Sequence, residues 1–210
     1  MRGLILLAVA VGCGRVEYDP VVTDASPPVR LSTPVFGAQR FEINPGRQVG
    51  TAIAVNGSGV VAMTGQTDGP VAIDGTTLNY FGMLDGFVVV YEPDGSVRWA
   101  TGFGATDGDV VPFAVAIDEL DNVVVTGRHA ASMTLGTDVL TPNGTSDGFV
   151  VSFDGEGGFR WSRQFGGDAT GDIGFGLVQR GPTTYLGGWL NGTFDFGTGP
   201  ITTENQDSLV

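Results

Sequence analysis

The chain has 210 residues, with 23 Asp and Glu against 10 Arg, no Lys, and a formal net charge of −13. Such a surface repels nucleic-acid phosphates and excludes nucleic acid as an expected partner. Hydrophobic residues reach 41% and Gly occupies 35 positions. The first supplies a core, and the frequent Gly, Asp, Asn and Pro between β-branched residues predict a turn-rich all-β chain and not a disordered one.

Residues 1–12 read as an export signal. Arg2 gives a short positive start, Leu4 to Val11 form an apolar run, and Ala10-Val11-Gly12 places small residues before Cys13, the only cysteine. The apolar run is far shorter than the roughly 20 residues that cross a bilayer as a helix. A lone thiol has no partner within the chain for a disulfide. This segment resembles a bacterial lipoprotein signal whose lipobox ends at Cys13, with Ala10 where Leu is usual. The resemblance implies cleavage before Cys13 and its acylation, with chains such as palmitate anchoring the protein in the membrane. With Gly14 next and no Asp there, it implies sorting to the outer membrane or cell surface of a bacterial envelope. Two acyl chains give the hold that stable anchoring needs.

Residues 13–34 follow without periodicity. Asp24-Ala25-Ser26-Pro27-Pro28 has the composition of a flexible tether. Residues 35–210 are expected to form one repeat domain. Around its start, Arg30 to Gly37 ends in Phe36-Gly37 and reads as a last strand without a sheet before it.

An internal repeat is the strongest signal in the chain. Ala52-Ile53-Ala54-Val55 matches Ala114-Val115-Ala116-Ile117, and Met63-Thr64-Gly65 matches Val125-Thr126-Gly127. Asp85-Gly86-Phe87-Val88-Val89 matches Asp147-Gly148-Phe149-Val150-Val151. Arg98-Trp99 matches Arg160-Trp161, and Phe103-Gly104 matches Phe165-Gly166, all at an offset of 62 residues. A third copy follows at an offset of about 60, with Gly187 set against Gly127 and Asp207 against Asp147. The repeats are expected at about 49–104, 113–166 and 174–210, the third one truncated.

Within the first repeat, Thr51 to Val55 and Val60 to Thr64 read as strands joined by an Asn56-Gly57 turn. Val71 to Ile73 and Thr76 to Leu78 read as a short hairpin turning at Asp74-Gly75. Gly86 to Tyr91 is an apolar run suited to burial on both faces. Pro93-Asp94-Gly95 is a turn, and Ser96 to Thr101 a strand carrying Trp99. Four antiparallel strands per repeat is the plan of a β-propeller blade, and neighbouring blades hide each other's faces. Trp99, Trp161, Phe103, Phe165, Phe87 and Phe149 are the expected blade-packing residues. About two full blades and partial ones do not close a ring. A fragment of a longer protein is therefore expected, or assembly with other copies to close a ring, or an open stack with exposed edges.

The run Asp147-Gly148-Phe149-Val150, Trp161, Phe165-Gly166-Gly167, Ile117-Asp118 and Asp121-Asn122-Val123-Val124-Val125-Thr126-Gly127 resembles the bacterial β-propeller repeat family called SBBP, from about residue 36 onward. Two places depart from it: Ala105 follows Gly104, and the third copy has Arg180-Gly181-Pro182 in place of Asp-x-x-Asn. The resemblance implies architecture and brings no fixed catalytic set.

Chemistry-bearing motifs are sparse. His129 is the only histidine and reads as a surface residue at a strand end, its repeat equivalents being Thr67 and Trp189. No nucleophile, base and orienting group share a recognisable pattern, so no enzyme and no cofactor is expected. One His and one committed Cys leave no zinc set. Asp107, Asp109, Asp168 and Asp172 lie in corresponding loops with the texture of oxygen ligands, and are weak calcium candidates; solvated turns are the plainer reading. The sequons at Asn56, Asn143 and Asn191 each have Gly second and read as turns. The expected function is a lipid-anchored binding or scaffold module for a protein or glycan. The alternatives are a structural envelope component without a specific ligand, or part of a propeller enzyme such as a hydrolase or lyase.

Overall fold

The computed structural model describes residues 42–43, 46–168, 171–195 and 199–209. The signal at 1–12, Cys13, the tether at 13–34 and the strand expected at 30–37 lie outside the described residues. No helix occurs among those described; the domain is all-β and its sheets are antiparallel.

In chain order the first strands are β1 (Glu42–Ile43), β2 (Gln48–Val55), β3 (Val61–Thr67), β4 (Val71–Ile73), β5 (Thr76–Thr77), β6 (Asp85–Tyr91) and β7 (Val97–Phe103). Next come β8 (Val110–Ile117), β9 (Val123–His129), β10 (Met133–Leu135), β11 (Asp138–Leu140), β12 (Asp147–Phe153) and β13 (Phe159–Phe165). The last are β14 (Ile173–Arg180), β15 (Thr183–Asp195) and β16 (Pro200–Leu209). Two four-stranded sheets run in the orders β2-β3-β6-β7 and β8-β9-β12-β13, followed by a three-stranded sheet, β14-β15-β16. None of them closes on itself. The insertions between the second and third strands of the two full sheets form smaller sheets: β4-β5, joined at β4 by β1 from before the first sheet, and β10-β11.

The turns follow from residue chemistry. Asp74 and Gly75 both adopt positive φ, 49° and 76°, as a tight hairpin turn demands, and Ile73 pairs with Thr76 across it. The Asn56-Gly57 turn differs from the two-residue hairpin expected. The Asn56 carboxamide oxygen accepts from the Ser58 and Val60 amides at 3.2 and 3.0 Å, which widens the turn and moves the positive φ to Gly59, at 86°. Asp118 and Asp154 cap their turns in the same way, and of the backbone amides Asp94 accepts from that of Ser96 alone.

The apolar strands stack the sheets. β8 packs across β2, β3 and β6, and β14 packs across β8, β9 and β12, so each sheet lays its first strand on the sheet before it. One continuous core joins Ala62, Val88, Val90 and Phe103 of the first sheet to Val115, Ile117, Val125, Phe149 and Val151 of the second. Met133, Leu135 and Leu140 from the β10–β11 hairpin complete it. Their counterparts in the first repeat, Val71, Ile73 and Leu78, cover Met63, Phe87 and Val89 in the same manner. A smaller cluster of Phe165, Leu190 and Phe194 lies between the second and third sheets.

Register gives the third repeat its alignment. A β-bulge interrupts the first strand of every sheet: between Gly50 and Ala52, Pro112 and Ala114, and Gly174 and Gly176. Opposite each bulge stands a glycine: Gly65, Gly127 and Gly188. Gly188, not Gly187, is therefore the structural counterpart of Gly127, and Leu190, not Trp189, that of His129. The Asp207 match stands, since Asp207 pairs with Leu190 as Asp147 pairs with His129. The offset from the second repeat is 62 at Gly176, 61 at Gly188 and 60 at Asp207, because successive connections in the third sheet are each one residue shorter, and a single linear offset misses this.

Candidate functional site

One end of the three sheets carries the long connections: both hairpin insertions, the loop at 104–109 and the described residues 166–168 and 171–172. The other end carries only the short capped turns. Loops on a rigid scaffold are where recognition residues gather.

Buried carboxylates hold this end in shape. Asp85, at the start of β6, is fully buried and accepts from the Phe81 and Gly82 amides. Its Oδ1 lies against Gly104, leaving no room there for a Cβ. Burial raises the Asp85 pKa above its ordinary value, and neighbouring amides partly offset the rise. Asp147 repeats the arrangement, accepting from the Asn143 and Gly144 amides and from Gln164 Nε2 at 2.7 Å. Asp172 is also fully buried and accepts from Asn191 N at 2.6 Å and Gly167 N at 3.1 Å. Its pKa is raised, first by burial and further by the charge of Asp147, while the two amides oppose the rise. Gly166, with φ +147°, is the residue over which the two carboxylates approach each other.

Beside this pair a cleft of about 290 Å³ opens, lined by Asn143, Gln164, Phe165, Gly166, Thr193 and Phe194. Gln164 Nε2 is committed to Thr141 O and Asp147 Oδ2, both at 2.7 Å. Thr193 Oγ1 shares a hydrogen bond of 2.9 Å with Thr202 Oγ1. The first repeat has Phe81 and Gly102 where Asn143 and Gln164 stand, and Asn79 O sits where a side chain on Gly102 would begin. The cleft thus offers amides and a hydroxyl beside two aromatic rings. Such a lining suits uncharged polar groups, such as sugar hydroxyls or peptide amides, and holds no nucleophile paired with a base.

No family model matches this chain, and no curated protein matches it.

The residues singled out by sequence are dispersed. Trp99 is half-buried and reaches into the second repeat. Its Nε1 donates to Gly155 O at 3.0 Å, its ring lies over Gly157, and its centroid is 5.8 Å from Phe153. Phe103 and Phe149 meet edge to face at 5.9 Å in the shared core. Phe87 lies in the first sheet's own cluster and Phe165 in that of the third. Trp161 is half-buried on β13 and belongs to none of the three apolar clusters of described residues.

The four aspartates are not gathered into a site. Asp107 and Asp168 are exposed, Asp109 lies 3.9 Å from Arg128, and Asp172 is spent on backbone amides. Among the described residues no three His, Cys, Asp or Glu side chains come together as metal ligands.

His129 is a correction. It is fully buried, not a surface residue. Nδ1 lies 3.0 Å from Ala131 O, which makes Nδ1 the protonated nitrogen, and the ring stands edge-on to Phe149. Nε2 is buried without a hydrogen-bond partner, and burial lowers the pKa. Asp85, Asp147, Asn143 and Gln164 escaped sequence reasoning as a group. The available signal was an Asp placed before the apolar strand of every repeat, where a polar residue at the mouth of a buried strand needs a partner.

Proposed function

We propose that the chain is a lipid-anchored β-propeller repeat protein of the bacterial envelope, acting as a binding or scaffold module for a protein or glycan. The observation carrying this reading is the stack itself: successive antiparallel sheets in meander order, each laying its first strand on the previous sheet. That is the way propeller blades cover one another. The loop-bearing end then serves as the recognition face, with the Asn143–Gln164 cleft as its polar pocket. Cys13, at the close of a lipobox-like segment, supplies the membrane attachment.

Two measurements test the reading. Metabolic labelling with a fatty acid is expected to mark the wild type and not Cys13→Ser, which stays as unprocessed precursor; equal labelling of both removes the anchor. On arrays of neutral glycans and peptides, saturable binding is expected that weakens about tenfold in Asn143→Ala/Gln164→Ala, roughly the loss of one or two hydrogen bonds. Absence of saturable binding on either array defeats the recognition role.

A further inference from the structure

Among the described residues the stacking leaves two half-interfaces open, one on the first sheet and one on the third, and they are halves of one repeated contact. On the second sheet, Val115 and Ile117 point back onto the first sheet and are 6% and 9% exposed. Their counterparts on β2, Ile53 and Val55, face away from the second sheet and are 44% and 56% exposed. In the receiving half, Ala54 and Ala62 of the first sheet receive the second, and Ala116 and Val124 hold the corresponding places on the second sheet. The register puts Val178 and Tyr185 of the third sheet at these positions, and both are open to solvent. Trp189, on the same face of β15 as Tyr185, extends that exposed surface, with Phe175 against it at 5.0 Å and against Phe113 at 5.3 Å. Contiguous exposed apolar surface of this kind marks an interaction site.

We infer that the Ile53–Val55 edge of one copy docks on the Val178–Tyr185 face of a second copy, head to tail, repeating between molecules the contact made within each. The inference rests on the propeller reading for its geometry. A head-to-tail contact is heterologous and closes only if its rotation completes a ring. The occupant is specified by chemistry: Ile53 and Val55 have the size and branching of Val115 and Ile117, and Gly176, with no atom near its Cβ position, leaves space on the receiving strand. Each copy carries a net charge of −13. The pairing therefore strengthens as salt screens the repulsion between copies.

Sedimentation equilibrium of the full chain at low and high salt is the test. The expected result is a dimer, tighter at high salt, whose dissociation constant rises at least about tenfold in Val55→Asp and, separately, in Tyr185→Asp. Mixing these two variants restores one intact contact, so a heterodimer re-forms. Both positions are exposed, and circular dichroism checks that each variant keeps its β fold; Ile53→Asp and Val178→Asp form a second pair. A wild type that stays monomeric overturns the inference. So does a dimer that survives Val55→Asp, which would be sheet three pairing with itself, or a mixture that fails to associate. The propeller reading is tested apart from this, since X-ray scattering of the monomeric Tyr185→Asp variant separates sheets fanned about an axis from sheets in a straight pile.

Discussion

At the last position of the second strand, three repeats place three different side chains. Thr67 caps its own turn, with Oγ1 donating to Gly69 O; His129 does the same with Nδ1 to Ala131 O; Leu190 simply fills the space within an apolar cluster. His129 alone is titratable. Its ordinary pKa is 6.5 and burial lowers it, so the folded chain holds it neutral while the unfolded chain protonates it below about 6.5. Stability from this residue is therefore lost as pH falls from about 6.5 towards the lowered folded value. Asp85 and Asp172 act with the opposite sign, because their raised folded values favour the folded state as pH drops through them. His129→Leu copies the third repeat. It is expected to match the parent within about 1 kcal/mol at pH 8, the lost hydrogen bond being offset by removal of an unpartnered nitrogen. Its melting temperature should then gain on the parent's as pH is lowered from 7 to 5. A constant difference across that range would disprove the assignment.

The recurring element is a bulged first strand facing a glycine. A Cβ on Gly65, Gly127 or Gly188 would lie 2.3, 2.1 or 2.3 Å from the carbonyl oxygen of Val49, Val111 or Ile173. The bulge brings that carbonyl inward, so the facing residue must lack a side chain. Pro112 fits beside its bulge because a bulge relieves the ladder of one donor. Gly127→Ala is expected to cost about 1–3 kcal/mol or more, as overpacking against rigid backbone does, read as a lower urea midpoint. Gly176→Ala, in open space at the position of Ala52 and Ala114, is expected to be neutral or stabilising by about 0.5 kcal/mol. Equal losses in the two variants would refute the role of the bulge. Gly65 and Gly127 were legible as a Thr-Gly pattern, while linear spacing pointed to Gly187 in place of Gly188. Their pairing with a bulge was not legible, because a bulge is defined by which residues meet across the ladder and not by spacing along the chain.

Across the molecule, the first two sheets are tied by polar links as well as by the common core. Arg98 spans Glu92 and Asp121 at 2.6 and 2.7 Å, and Asn56 Nδ2 donates to Asp118 O and Asp121 Oδ1. Trp99 adds its bond to Gly155 and its contact with Phe153. The aligned pair Arg160 and Trp161 lacks these cross-sheet contacts among the described residues: Arg160 is exposed and reaches only Ser152 within its own sheet, at 3.4 Å. Trp99→Ala is therefore expected to cost about 3 kcal/mol, at the low end for truncating a large aromatic, and Trp161→Ala about 1 kcal/mol. Chemical denaturation compares them directly. Equal costs would mean that the repeat pattern, and not the cross-sheet contact, sets the worth of these tryptophans.

The sequence by itself determined the strands, their order and the repeat. Those depend on neighbours along the chain: alternation of apolar residues, and turn residues such as Asp74-Gly75 that fix their own backbone. It also determined that Phe87 and Phe149 leave water, since both sit within apolar runs. Only the tertiary structure decided which sheet each of them touches, that His129 is buried, that Asp147 and Asp172 converge on Gly166, and that Ile53 and Tyr185 stay open while their counterparts are covered. Identical local patterns meet different surroundings at each place in a stack. Burial and electrostatics are set by what lies across the interface, and that information is carried by no single repeat.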